Sequence, residues 1–183
     1  LHIRRAGKSQ TFQTLDGQDR ELSSDNLVVA DDENILALAG TMGGASSEIS
    51  ESTVRIALEG AHFIPNAVAL NSRVHKLSTE ASRRLERGVD PKLAKIATSR
   101  GIDLLIKLGS AKYLGTNSVE TPFTPTIIEL DPKFVDKYLS LEFETATIRE
   151  KLEQIGCQIS TSQPWKITVP SWRPDLNVKE DLV

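Results

Sequence analysis

Ser78-Thr79-Glu80-Ala81-Ser82-Arg83-Arg84-Leu85-Glu86-Arg87-Gly88-Val89-Asp90-Pro91 lies within the helical stretch that takes over after Pro65 from a series of short β-rich runs, and its reading decides the fold class. Ser78-Thr79 is a polar break of the kind that caps a helix start. Ser82 to Glu86 reads as one or two helical turns, Gly88 stops them, and Asp90-Pro91 caps and starts a second helix. The apolar positions Leu93, Ile96, Ala97, Ile102, Leu104, Leu105 and Leu108 are expected on the buried side of that helix, with Gly109 at its end.

Toward the N-terminus, Pro65 suits the first turn of a helix running through Val68, Leu70 and Val74 towards Leu77. Before it the chain breaks into short β-rich runs at Thr11 to Leu15, Asn26 to Ala30, Ile35 to Ala39 and Thr53 to Leu58, with a turn at Asp16-Gly17. Gly40-Thr41-Met42-Gly43-Gly44 sits between the last two runs, where glycines permit either a left-handed turn or the close approach of another group. No P-loop lysine or Gly-x-Gly-x-x-Gly spacing accompanies it, so a nucleotide-phosphate cradle is unsupported.

On the other side, Thr121-Pro122-Phe123-Thr124-Pro125 resists both helix and ladder pairing and reads as a linker. Ile127 to Leu130 then reads as a strand, Asp131-Pro132 as a helix start, and Thr145 as the cap of a helix with the face Ile148, Leu152 and Ile155. Gly156 stops it, and Cys157 to Ser160 can pair with Lys166 to Val169 as a hairpin. Early strands and later helices without βαβ alternation predict an α+β fold, a mixed sheet with helices, followed by a small winged-helix-like module.

With 183 residues, 39% hydrophobic and 26% charged, the chain can form one ordinary domain or two small ones, which excludes disordered and fibrous classes. No run of eighteen apolar residues occurs, so no membrane-spanning helix is expected. Leu1 opens the sequence with neither an initiator methionine nor a signal pattern, and the expectation is a cut piece of a longer protein. A lone cysteine, Cys157, and three scattered histidines give no internal disulfide and no zinc spacing, which makes a reducing compartment the default.

The net charge of −3 hides a gradient. Residues 1–72 carry five basic against ten acidic side chains, residues 73–112 carry ten against four, and residues 123–183 carry seven against ten. A basic middle stretch fits a phosphate-bearing partner, and it equally fits a helix surface that needs solvating charge. No Ser, His and Asp arrangement stands out, and no catalytic residue is assigned. Glu59 is singled out because it follows the apolar run Ile56-Ala57-Leu58 and precedes Gly60 and a second apolar stretch. A carboxylate there must face water, pair with a cation or accept a hydrogen bond from a ligand.

Four segments carry a resemblance. Ala39-Gly40-Thr41-Met42-Gly43-Gly44, Leu58-Glu59-Gly60-Ala61-His62-Phe63, the stretch Ser78 to Pro91 and Val169-Pro170-Ser171-Trp172-Arg173-Pro174-Asp175 resemble, in the same order, the β subunits of bacterial phenylalanine–tRNA ligases. The likeness covers nearly the whole chain, and Glu86-Arg87-Gly88-Val89-Asp90-Pro91 is its strongest marker. It implies a B3/B4 tRNA-editing domain over residues 1–120, lacking its N-terminal part, and the beginning of a B5 domain over residues 126–183, truncated at its C-terminal end.

The activity so implied is hydrolysis of tRNA for phenylalanine wrongly charged with tyrosine, within an enzyme that joins phenylalanine to its tRNA. By the resemblance, Glu59 at the base of a cavity accepts the hydrogen bond of the tyrosine phenol, Thr79 lines the pocket, Ala81 keeps its floor small, and Gly43 and Gly44 let the backbone approach the substrate. A further pocket-lining histidine is expected ahead of Leu1, so that the isolated piece folds but edits poorly. Arg73, Lys76, Arg83, Arg84 and Arg87 would guide tRNA. Asp175 and Asp181 match the first two acids of a magnesium site shared with the α subunit. ATP is used by the intact heterotetramer and not bound by this piece, no membrane partner is implied, and the expected location is the cytoplasm. The rival expectation is a non-catalytic RNA-binding or subunit-assembly module of the same fold.

Overall fold

The computed structural model describes all residues from Leu1 to Val183 and divides them into two compact units. The first comprises Leu1–Val89 with Leu93–Ala111, the second Asp90–Lys92 with Lys112–Val183.

In the first unit, strands β1 (His2–Arg5), β4 (Leu27–Ala30), β5 (Ile35–Leu38) and β6 (Met42–Gly43) form one antiparallel sheet in the order β1-β4-β5-β6, and β2 (Gln10–Gln13) pairs with β3 (Asp19–Leu22) as a hairpin. Side chains alternate across a strand, and β4 shows why this sheet is covered on both faces. Val28 and Ala30 join Ala6, Phe12, Leu22, Ile35, Leu38 and Leu77 in one apolar cluster, whereas Val29 joins Ala39, Phe63 and Val68 in another. The hairpin's Phe12 and Leu22 supply the first cover; helix α1 (Pro65–Val74) supplies the second through Val68.

Pro65 at its first turn starts α1, as expected. Its buried residues are Ala67, Val68, Ala69 and Asn71, and the expected face is corrected at Leu70 and Val74, which are exposed. Residues four apart share a helix face, so Ala67, Asn71 and His75 line up together, and a polar residue, Asn71, occupies the most buried position of that row. The Asn71 side chain is a buried clamp. Its Nδ2 donates to the Leu27 carbonyl at 2.8 Å, and its Oδ1 accepts from the Leu27 backbone N–H at 3.2 Å and from Asn26 Nδ2 at 3.1 Å. A periodicity scan for apolar residues has no way to count such a residue as core.

A short helix α2 (Glu80–Leu85) and a long helix α3 (Leu93–Gly109) follow. No residue of α3 is buried, which corrects the expected buried side: Leu93, Ile96, Leu104 and Leu108 are exposed. Residues 53–58, expected as a strand, form none; the chain from 54 to 64 has no regular structure, and Leu58 and Gly60 lie against α3. Small residues set that contact. A Cβ on Gly60 would come within 2.9 Å of the Ala94 carbonyl oxygen, and one on Gly101 within 2.8 Å of Leu58 Cδ2. A single extended strap covers only a narrow stripe of a helix, so the rest of the apolar face of α3 remains exposed in this chain.

In the second unit, β7 (Ile127–Leu130), β9 (Trp165–Thr168) and β8 (Gln158–Ile159) form an antiparallel sheet in the order β7-β9-β8, packed with α4 (Pro132–Leu139) and α5 (Thr145–Gln154) around Ile128, Leu130, Val135, Ile148, Leu152, Cys157, Trp165 and Ile167. Asp131 caps α4 by accepting from the Lys133 N–H at 3.0 Å. Thr145 opens α5 but does not cap it; Glu144 holds that position without a side-chain bond, and Ile155 is exposed. Gly156, at φ +91°, turns the chain out of α5. Arg149 stacks its guanidinium 4.7 Å from the Trp165 ring centroid, covering a core aromatic with an amphipathic arm. No helix in either unit is long and apolar enough to cross a membrane.

Replacing Asn71 with Ala strands the Leu27 N–H and the Asn26 Nδ2, while the Leu27 carbonyl keeps the Ala39 N–H at 3.0 Å, and the expected loss is about 3 kcal/mol, read by urea unfolding. His75 gives a pH signature. It is buried, its Nε2 has no hydrogen-bond partner, and burial, with Arg20 nearby, holds its pKa below the ordinary value. The unfolded chain therefore binds a proton that the folded chain refuses. Stability should fall as pH drops from about 6.5 towards the lower folded pKa, and His75→Gln should flatten that slope in unfolding curves measured at several pH values.

Candidate functional site

Thr79 is the point where two of the segments singled out by sequence meet. As N-cap of α2 its Oγ1 accepts from the Ser82 N–H at 3.0 Å, while Ser82 Oγ accepts in return from the Thr79 N–H at 2.9 Å, a reciprocal capping box. The same Thr79 hydroxyl donates to the Thr41 carbonyl at 2.9 Å. One hydroxyl thus ties the start of α2 to the glycine loop between β5 and β6. Gly40 carries that loop's left-handed turn at φ +64°, and a Cβ there would meet Val68, Leu85 and Phe63.

Gly43 and Gly44 each have a packing neighbour of their own. A Cβ on Gly44 would lie 2.7 Å from the Phe12 ring, and one on Gly43 would lie 3.1 Å from Leu15 Cδ1. Both make room for hairpin side chains, so their small size already has a use inside the fold. Ala81, in the first turn of α2, is exposed.

Glu59 lies on the strap beside α3 and is exposed, between exposed Leu58 and Gly60. It is not at the base of a cavity in this chain. Two surface hollows of the first unit lie elsewhere, one lined by Gly7, Lys8, Ser9 and Glu21 to Ser24, the other by Gln10 to Gln13, Glu33 to Ile35, Ala45 and Ser46. The Glu59 carboxyl is nonetheless unusual. Desolvation by the surrounding protein pushes its pKa up, and no hydrogen bond or ion pair offsets that push. A carboxyl partly desolvated by the protein and left without a donor can accept a hydrogen bond from a bound hydroxyl.

The basic residues divide into two sets. Arg83 pairs with Glu80, and Arg84 lies 3.6 Å from the same carboxylate, so part of their charge is spent within α2. Arg73 in the last turn of α1, Lys76 just after it and Arg87 just after α2 are exposed, without an acidic partner within 4 Å. Sequence reading missed Arg20. Its guanidinium donates to Thr14 Oγ1, the His75 carbonyl and Asp16, locking the hairpin to the end of α1; only the tertiary structure brings these groups together.

Asp175 and Asp181 belong to the second unit. Asp175 accepts a two-pronged bond from Arg173, Nε to Oδ1 at 2.9 Å and Nη2 to Oδ2 at 2.7 Å, which holds its carboxyl below the usual range. Asp181 Oδ2 accepts from the Asn177 and Val178 N–H groups at 2.8 and 3.0 Å, which lower its carboxyl too, while the charge of Asp175 pushes the other way. These are hard oxygen donors, chemically suited to Mg²⁺, which takes one or two carboxylates and keeps several waters. Nowhere do three or more side chains of metal-binding type gather. In this chain the charge of Asp175 is met by Arg173.

The sequence matches the B3/4 domain family over residues 1–110 and the tRNA synthetase B5 domain family over residues 128–183. It is 41% identical over 186 aligned residues to the phenylalanine–tRNA ligase β subunit of Streptomyces avermitilis, with 100% of the chain and 22% of that protein covered. The subunits of the same name from Leifsonia xyli and Cutibacterium acnes are each 40% identical, over 98% and 99% of the chain and 22% of each relative. The chain thus spans about a fifth of the length of these relatives.

Thr79→Val removes both the capping acceptor and the bond to the Thr41 carbonyl, and the expected loss is about 1–2 kcal/mol. Thr79→Ser keeps both bonds and should recover most of it in the same unfolding measurement.

Proposed function

The chain belongs to the phenylalanine–tRNA ligase β-subunit family, as a stretch carrying its B3/4 and B5 domains, and from that premise we propose that its first unit takes part in editing, the hydrolysis of tyrosine wrongly esterified to tRNA for phenylalanine. The physical need is plain. An apolar pocket discriminates against an isostere with one added hydroxyl by only roughly a hundredfold, whereas a site that hydrogen-bonds the hydroxyl rejects the analogue without it far more strongly.

The observation that carries the reading is the place of the Glu59 carboxyl, exposed on the strap beside exposed apolar Ile56 and Leu58, without a donor from the protein and with its pKa raised by desolvation. A phenol hydroxyl supplies that donor; phenylalanine does not. The exposed Leu58 and Ile56 offer apolar surface to the ring. Because Glu59 is exposed here, the reading requires a further wall from the larger protein to enclose the substrate. No side chain of this unit is assigned as nucleophile, and the attacking group in this reading is water. Arg73, Lys76 and Arg87 have the charge to meet tRNA phosphates, with Arg83 and Arg84 contributing after sharing Glu80. In the second unit Asp175 and Asp181 would hold Mg²⁺ with the α subunit; a hard cation there neutralises both carboxylates. ATP use and the α partner belong to the assembled ligase, whose place of work in this reading is the cytoplasm.

A second reading has its own observation: Glu59 and Ala81 stand exposed at the surface of the first unit, as for a module that binds RNA or a partner subunit without hydrolysis. Glu59→Ala in the assembled ligase separates the two. Editing predicts that tyrosyl-tRNA is hydrolysed no faster than phenylalanyl-tRNA while phenylalanine charging persists; unchanged tyrosine-specific deacylation removes Glu59 from the mechanism and favours the binding module.

A further inference from the structure

We propose that α3 is a self-association surface, on which a second copy of this chain lays its own α3 antiparallel about a two-fold axis passing between Arg100 and Gly101. Leu93, Ala97, Leu104 and Leu108 are all exposed, and the helical repeat places them within about 60° of arc. The strap occupies the neighbouring arc, where Ala94, Thr98 and Gly101 are half-buried. The uncovered stripe is symmetric in sequence. Leu93 and Leu108 are equally far from the midpoint between Arg100 and Gly101, and so are Ala97 and Leu104. An isologous pair needs a surface complementary to itself. Here the two-fold sets Leu93 against the second copy's Leu108 and the small Ala97 against its large Leu104, and repeats both contacts on the other side of the axis.

Size and charge select the antiparallel arrangement. A parallel pair would set Ala97 against Ala97, leaving a gap, and Arg100 against Arg100. In the antiparallel pair, Arg100 stands about 3 Å along the helix axis from the second copy's Asp103, on the flank away from the strap. Both residues are exposed, and neither joins an ion pair within the chain. Two arginines and two aspartates thus form a neutral quartet beside the axis. Antiparallel helices also set opposite dipole ends side by side. On the strap side, Leu58 covers Gly101 and is itself exposed, so apolar surface flanks the axis there. Four layers over about 22 Å of helix make a small interface, of the weak and concentration-dependent class.

The test is sedimentation equilibrium of the 183-residue chain from about 1 to about 300 µM, the range in which small interfaces associate, with circular dichroism confirming that each variant is folded. The mean mass should rise from the 20.1 kDa of one chain towards twice that value. Leu104→Glu and Leu108→Glu, both at exposed positions, should each weaken association by about tenfold or more, because pairing would bury an unpaired carboxylate. Arg100→Asp should weaken it too, and adding Asp103→Arg to that variant should restore it. Cysteine cross-linking reads the orientation, since Cys157 is buried. Oxidising a mixture of the Leu93→Cys and Leu108→Cys chains should give a linked dimer, and either chain alone should give none. A parent chain that stays monomeric at the top of the concentration range, or that associates equally well with Leu104→Glu, overturns the proposal and leaves the stripe to a different occupant. Linkage of either cysteine variant to itself overturns the antiparallel register.

Discussion

One buried carboxamide organises the first unit. Asn71 presents a donor and an acceptor to the N–H and carbonyl of Leu27, so a helix residue does for β4 what a neighbouring strand otherwise would. Backbone polar groups in an apolar interior must be paired, and helix α1 can lie on this sheet only where that pairing is met. Once α1 is seated, Val68 fills the second face of the sheet, Phe63 is drawn under it, and the strap carrying Glu59 enters α1 from a defined side.

The same logic recurs at the glycine loop. Thr79 fastens α2 to the Thr41 carbonyl, Arg20 fastens the hairpin to the His75 carbonyl, and Asn71 fastens α1 to β4. Each bond joins a side chain to a backbone group far away in sequence. Packing supplies the bulk of the attraction, but it is non-directional; these bonds choose the arrangement. The segments of the chain that resemble an editing domain meet through the Thr79–Thr41 bond and through an apolar cluster that includes Ala39, Phe63 and Leu85, with the glycines shaped to admit Val68 and Phe12.

The candidate site differs in character from this framework. Glu59 stands on a strap without regular structure, held to α3 through Gly60 and Gly101, and desolvation raises its pKa by disfavouring the charged carboxylate, with nothing to offset that effect. In the proposed editing reading, such a group works at a surface that the bound substrate completes. The apolar residues of α3 that remain exposed, Leu93, Ile96, Leu104 and Leu108, lie in the same unit, and the chain represents about a fifth of the relatives it matches.

Local order was legible in the sequence. Turn and cap residues act within a few positions of themselves, so Gly17, Pro65, Asp131, Gly88 and Gly156 marked boundaries that the structure keeps, and the alternation of Ile127 to Leu130 marked a strand. The acid at Glu59 was legible too, because a carboxylate between apolar runs is costly wherever it lands. What covers a surface was not legible. Whether the apolar stripe of α3 is buried, whether Thr53 to Leu58 finds a strand partner, whether Gly44 serves a ligand or Phe12, and whether Asp175 meets a cation or Arg173 all depend on which distant groups arrive. Those contacts are set by tertiary packing, since periodicity and capping describe how much surface an element offers and never what comes to meet it.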